Sequence, residues 1–149
     1  GRFAKFGGTF SMDRAAKSGG VDFTIETASV DTGDNDKGSR PRSRDEHLRH
    51  SDFFNAAEFP RMTFKSTRVV FTGDNPTAVE GNFTMLGVTR PLTLQLVRFK
   101  CNPPSATAKE KCGGDARGTL KRSDFGMKRG VPAIGDDIAL EIGFEGDKN

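Results

Sequence analysis

AVEGNFTM (residues 78–85) sets Val79, Gly81, Phe83 and Met85 on one side of an extended chain and Glu80, Asn82 and Thr84 on the other. Successive residues of a strand point to opposite faces, so this alternation reads as a β-strand with one buried and one wet face. The same period of two recurs outward in both directions. FGGTFSM (6–12) aligns Phe6, Gly8, Phe10 and Met12, and VDFTIETASV (21–30) aligns Val21, Phe23 and Ile25. RMTFKSTRVVF (61–71) follows Pro60 and aligns Met62, Phe64 and Ser66. PLTLQLVRF (91–99) aligns Leu92, Leu94 and Leu96, and DIALEIGFE (137–145) aligns Ile138, Leu140, Ile142 and Phe144. ARGTLKR (116–122) is shorter and weaker. These seven segments are separated by turn chemistry at SGG (18–20), TGDNP (72–76), LGVTRP (86–91) and IGDD (134–137). Many short alternating strands in one small domain predict a sandwich or a barrel.

The chain has 149 residues, which fits a single domain. Apolar residues make up 34% and there are 18 glycines, a composition that can build a core and excludes a disordered chain. No run approaches the length of an apolar transmembrane helix. Twenty-three basic residues nearly balance 20 acidic ones, so the net charge of +3 does not demand an anionic partner. All 13 aromatics are Phe, with no Tyr or Trp. Phe lacks the polar handle of the other two, so its rings suit hydrocarbon better than a wet binding face. If a lumen is lined by Phe, Met, Leu and Ile, it must be filled by side chains or by an apolar guest. Composition leaves both fillings open.

One helix is expected, at RDEHLRH (44–50), where Ser43 and Glu46 have capping-box spacing and Asp45 and Glu46 put negative charge in the first turn. A second short helical turn is expected at RSDFGMK (122–128), and DTGDNDKGSRPRS (31–43) reads as a mobile loop. Cys101 and Cys112 stand at the feet of the polar segment NPPSATAKEK and read as a disulfide staple. The alternative is two free thiols of a reducing compartment; a disulfide implies an oxidising one. No metal site is expected: no CxxC pair accompanies the cysteines, and DTGDNDKGS has Ser39 where a calcium loop needs its turn glycine. Nucleic acid is not an expected partner, because the Arg-rich stretch 39–50 is interrupted by acids and lacks rings for base stacking.

RDEHLRHSDFFNAAEFP (44–60), FKSTRVVF (64–71), EGNFTMLGVTRPLTL (80–94) and RSDFGMKRGVPAIGDDIALEI (122–142) together resemble the YceI family of bacterial, mostly periplasmic, polyisoprenoid-binding proteins. The resemblance runs from Gly1 to about Glu145. It implies an antiparallel eight-stranded lipocalin-like β-barrel with one or two short helices and an elongated apolar tunnel. Family members usually carry a further first strand before the GRF segment; the resemblance leaves open whether that strand is omitted here, removed by cleavage, or supplied by a neighbouring chain. It also implies a periplasmic or secreted location with the signal peptide removed, and a homodimer as one assembly state. The expected guest is an amphipathic long-chain lipid such as a polyisoprenoid or isoprenoid quinone, or a hydrophobic antibiotic; no catalytic cofactor is implied. Transient membrane contact accompanies such a role.

The expected tunnel lining is Phe10, Met12, Phe23, Ile25, Phe64, Phe83, Met85, Leu94, Ile138, Leu140 and Ile142, with Phe53, Phe54 and Phe125 near a mouth or under the helix. For each, ordinary core packing is the competing reading. Arg44, Asp45, His47, Arg122, Ser123 and Asp124 are the candidates to meet a polar head group, an Arg by pairing with phosphate. Their competing reading is a paired surface charge or a first-turn carboxylate. An enzyme acting on an isoprenoid lipid, through His47 with Ser51 or Ser123, is the alternative function. It requires nucleophile, base and orienting group within hydrogen-bond reach, which the spacing does not supply.

Overall fold

The structure, a computed structural model, describes residues 1–147. The strands are β1 (Arg2–Phe3), β2 (Phe6–Asp13), β3 (Ser18–Glu26), β4 (Val30–Asp31), β5 (Arg61–Thr72), β6 (Asn75–Met85), β7 (Val88–Asn102), β8 (Lys111–Lys121) and β9 (Asp137–Asp147). One helix, α1 (Arg44–Arg49), and two 3-10 turns, Thr27–Ser29 and Arg122–Phe125, complete the elements. Seven strands form one sheet in the order β2-β3-β5-β6-β7-β8-β9, and β1 pairs with β4 alone. The alternating part of each predicted segment lies in one strand of the large sheet, although 21–30 leaves β3 after Glu26 and 116–122 leaves β8 after Lys121; every ladder is antiparallel.

The hairpin turns follow the sequence chemistry at 72–76 and 86–91, but the expected turn at SGG does not form: Ser18, Gly19 and Gly20 lie within β3, paired with Asp13, Met12 and Ser11, and the β2–β3 turn is made by residues 14–17 instead. Met85 pairs with Val88, so Leu86 and Gly87 alone make the β6–β7 turn. Both have positive φ, 55° and 72°, as a two-residue turn matching the sheet twist requires. Two register shifts re-aim side chains. In β5, Met62, Phe64 and Ser66 face inward, and a bulge between Ser66 and Arg68 hands that face to Val69. In β7, a shift between Leu96 and Arg98 leaves Val97 exposed and brings Phe99 onto the face of Leu92, Leu94 and Leu96. One extra residue flips the phase of an alternating strand, which is how both changes arise.

The core sits on the concave face of the central strands. Phe64 is fully buried (0% exposed) and stacks on Phe23 with ring centroids 5.1 Å apart. Its ring lies over Gly81 of the neighbouring strand, where an added Cβ would come within 2.6 Å of it. Phe83 meets Phe125 edge to face at 5.8 Å, so the second 3-10 turn packs into the core from one end. Outside, cross-strand ion pairs such as Arg68–Glu80 (3.3 Å), Arg98–Asp115 (3.4 Å) and Arg117–Glu141 (3.3 Å) mark the wet face.

The described residues form the mainly β, curled antiparallel sheet that was expected, and closure into a full barrel is not seen among them. They place seven strands in the sheet, and no ladder joins β2 to β9. In an all-antiparallel run of seven, the first and last strands point the same way, so an antiparallel ladder cannot join them directly. The molecule is a curled half-barrel with a seam between its edges. Side chains tie parts of 31–43, the segment read from the sequence as a mobile loop. Arg40 grips Asp34 through two guanidinium bonds (2.7 and 3.1 Å), and Thr32 is tied to Asp45 of α1.

Candidate ligand-binding cavity

Inside the curl is a cavity of about 420 Å³. This lies within the usual range for small-molecule sites, roughly 300–1,000 Å³. Phe23 and Ile25 of β3 and Met62, Phe83, Met85 and Leu120 of the central strands line it. Leu48 of α1 and Phe54 just beyond the helix cover one end, with Val30 and Thr32 beside them. Phe3 and Phe6 form the wall near the start of the chain.

The remaining wall is β9, which contributes six consecutive residues, Ile138 to Gly143. Neighbouring residues of a strand point to opposite faces. A run of six therefore touches a space that wraps past the strand's free edge. The cavity is a slot that opens laterally at the seam between β9 and β2, and Phe6 at its rim is 57% exposed. Arg2 and Glu141 are the charged side chains of the lining. Glu141 is held outward by Arg117, and Arg2 lies 3.8 Å from Asp31.

α1 is fixed over this end by its own polar groups. The Ser43 hydroxyl accepts a bond from the Glu46 amide (3.1 Å), the cap anticipated from the sequence. Asp45, 2% exposed, accepts bonds from the amide and hydroxyl of Thr32 (2.9 and 2.5 Å). The Thr32 hydroxyl bond, opposed in part by burial, holds the Asp45 carboxyl below the usual carboxylate range. His47 Nε2 bonds Asp52 at 3.0 Å, and its ring stands edge-on to Phe53. Arg42 (3.5 Å) and Arg129 (3.8 Å) also approach Asp52. Chiefly through the His47 bond, Asp52 too is held below the ordinary range.

Of the expected tunnel residues, Phe23, Ile25, Phe54, Phe83, Met85, Ile138, Leu140 and Ile142 lie in the cavity wall. Phe53, Phe64, Leu94 and Phe125 do not: they are buried in the core behind the wall, where other side chains already fill the space. Phe10 and Met12 face inward but lie beyond the end of the cavity.

None of the six head-group candidates lines the cavity. Asp45 is spent on Thr32. Arg122, 5% exposed, donates to the carbonyls of Gly135, Arg129 and Ile134, so it braces the β8–β9 loop. Ser123 gives its hydroxyl (2.6 Å) and amide (2.8 Å) to Asp136, which depresses the Asp136 pKa. Asp124 is exposed and offers its backbone carbonyl to Arg90. Arg44 is exposed, 3.9 Å from Asp34, and His47 is engaged by Asp52. A buried polar group needs a partner, and here the fold itself supplies the partners.

Sequence reading missed Arg2, Phe3, Phe6, Val30, Thr32, Leu48, Met62 and Leu120 as lining. Met62, Phe6 and Leu120 were visible as inward positions of alternating strands. Leu48 is an apolar residue in a six-residue helix, too short to show a periodic stripe. Arg2 and Thr32 carry no signal of their own. Cys101 and Cys112, opposite each other in β7 and β8, are joined as a disulfide.

A curled antiparallel sheet with an apolar interior slot defines a lipocalin-like binding protein. Residues 1–146 match the family model described as the YceI-like domain, and the chain belongs to that family. It is 35% identical over 147 residues to Protein YceI of Salmonella arizonae, covering 98% of this chain and 72% of the relative; the Protein YceI of Salmonella newport matches equally. Among solved structures it is similar to the Campylobacter jejuni YceI protein, with 28% identity, a TM-score of 0.79, and coverage of 99% of this chain and 84% of that one. Burkholderia cenocepacia BcnA, 23% identical over 97% of this chain and 85% of its own, shares the fold with a TM-score of 0.72.

Proposed function

We propose that this chain holds a long-chain amphipathic lipid, a polyisoprenoid, isoprenoid quinone or similar molecule, in its interior slot for transport, storage or sequestration. The observation that carries the reading is the cavity of about 420 Å³ walled by Phe, Met, Leu and Ile. Transferring hydrocarbon from water into such a space is favourable by about 0.8 kcal/mol per methylene, so ten methylenes supply roughly 8 kcal/mol, near micromolar affinity. Methylenes discriminate poorly, so hydrophobic antibiotics belong to the same class of guest. The lateral opening lets a chain enter sideways while its head group stays wet. Arg2, at the rim, is the cation placed to meet an anionic head. The Cys101–Cys112 bond supports an oxidising location such as the periplasm.

The test is organic extraction of gently purified protein followed by mass spectrometry. A long-chain lipid in near-stoichiometric amount is expected. An empty extract, together with failure to take up added isoprenoid quinone, sinks the reading.

A further inference from the structure

The cavity ends at one level on three strands. On β3, Phe23 lines it and Val21, next on the same face, does not. On β2, Phe6 lines it and Phe10 does not; on β9, the lining stops at Gly143, just before Phe144. Directly past this level the rings of Phe10 and Phe144 meet edge to face, 5.1 Å apart at 70°. They bridge the two edges of the sheet where no backbone ladder does. Phe99 of β7 backs Phe144 at 6.2 Å, and the Arg14 guanidinium lies 5.4 Å from the Phe99 ring. Glycines make room for the group. A Cβ at Gly146 would come within 2.8 Å of the Phe10 ring, and one at Gly114 within 3.1 Å of the Phe144 ring.

We infer that Phe10 and Phe144 form an aromatic stop that sets the longest hydrocarbon chain the slot accepts. The inference rests on the lipid-holding reading and adds a length determinant to it. Each methylene that finds apolar wall tightens binding about fourfold. At the stop that gain ends, because the next carbon must displace a ring held by its neighbours or remain in water. Phe144 is half-buried but held from two sides, by Phe10 and by Phe99, so the boundary falls at a ring cluster rather than at a single side chain.

The experiment measures affinities for unbranched fatty acids from octanoate to docosanoate, below their micellar concentrations, by equilibrium dialysis. In the unaltered protein, affinity rises by a constant factor per carbon and then stops rising at a defined length. In Phe144→Ala that break moves to longer acids, and in Phe144→Trp to shorter ones. Phe10→Leu, a milder change that keeps an apolar side chain, moves it in the direction of Phe144→Ala and serves if Phe144→Ala does not fold. Thermal melts establish which variants are folded. A break that stays at the same length in the folded variants, or no break in the unaltered protein, overturns the stop and leaves the lipid-holding reading intact. If the unaltered protein binds no acid of any length but takes up isoprenoid quinone, the stop as a limit on chain length is overturned while the lipid-holding reading stands; if it takes up neither, both fall.

Discussion

The centre and the flanks of the sheet share one sequence pattern and end in different states. In β5, β6 and β7 the inward residues Met62, Phe64, Val79, Phe83 and Leu94 are buried. In β9 the inward residues Ile138, Leu140 and Ile142 are only half-buried, and Phe6 of β2 is exposed. The central strands have a hydrogen-bonded neighbour on each side and receive Phe53, Phe125 and Met127 from above. The edge strands have one neighbour each and look across the slot. Alternation therefore tells which way a side chain points; what it meets there depends on the curl of the sheet. Both regions border the slot, the centre through buried Met62, Phe83 and Met85 and the flank through half-buried Ile138, Leu140 and Ile142.

The largest expected effect breaks that contrast at two single sites. Phe64→Ala should cost about 3–5 kcal/mol, as for a large side chain lost from a packed core. Leu140→Ala, at a half-exposed wall position, should cost only about 1 kcal/mol while lowering lipid retention severalfold. Urea unfolding of both variants, with lipid extraction of the second, checks this. Equal losses of stability would mean that centre and flank are one core.

The second effect is intermediate and belongs to neither region. Replacing Cys101 and Cys112 by Ser opens a short closed loop between β7 and β8 and should cost roughly 2–3 kcal/mol. Neither residue lines the cavity, so lipid retention should survive under native conditions. Retention lost in a folded Cys101→Ser/Cys112→Ser protein would tie the staple to the slot.

The smallest effect concerns the helix over the open flank. The native pKa of Asp45 is depressed by its Thr32 bonds. A carboxylate of this kind contributes stability that is fully present above its ordinary pKa, about 4. The contribution is lost as pH falls through the lower native value, because the unfolded chain then binds more protons. Asp34, Asp52 and Asp136 are depressed as well and share this acid limb, each through its own partner. Urea midpoints followed from about pH 6 down to about pH 2 should therefore fall, and Asp45→Asn should shallow the slope. An unchanged slope would show that the Thr32 clamp adds nothing to the flank.

The strands were legible because each buries one face against the same interior, and burying one face imposes a period of two. The Ser43 cap and the positive-φ turn at Leu86 and Gly87 were legible because local backbone geometry demands those residues or their turn context. The bulges were not. Nothing in KSTRVV or LQLVRF announces that Thr67 or Val97 drops out of register, since the shift is set by the pairing strand. Phe64 and Phe23 read alike, yet one is sealed in the core and the other faces the slot. Arg122 and Ser123 were candidates for a head group because they are polar residues within motifs that carry the family resemblance; their partners, residues 129–136, are brought to them by the loop that follows.

By itself, then, the sequence settled much of direction and punctuation: the alternating faces of the strands away from their bulges, the turns near 72–76 and 86–91, and where the helix begins. Only the tertiary structure decided occupancy: which inward side chains touch one another, which border empty space, and that the first and last strands of the sheet do not pair. The physical reason is range. Direction and turning follow from neighbours one to four residues away, whereas burial and closure follow from strands more than a hundred residues apart, such as β2 and β9, brought together by the curvature of the whole sheet.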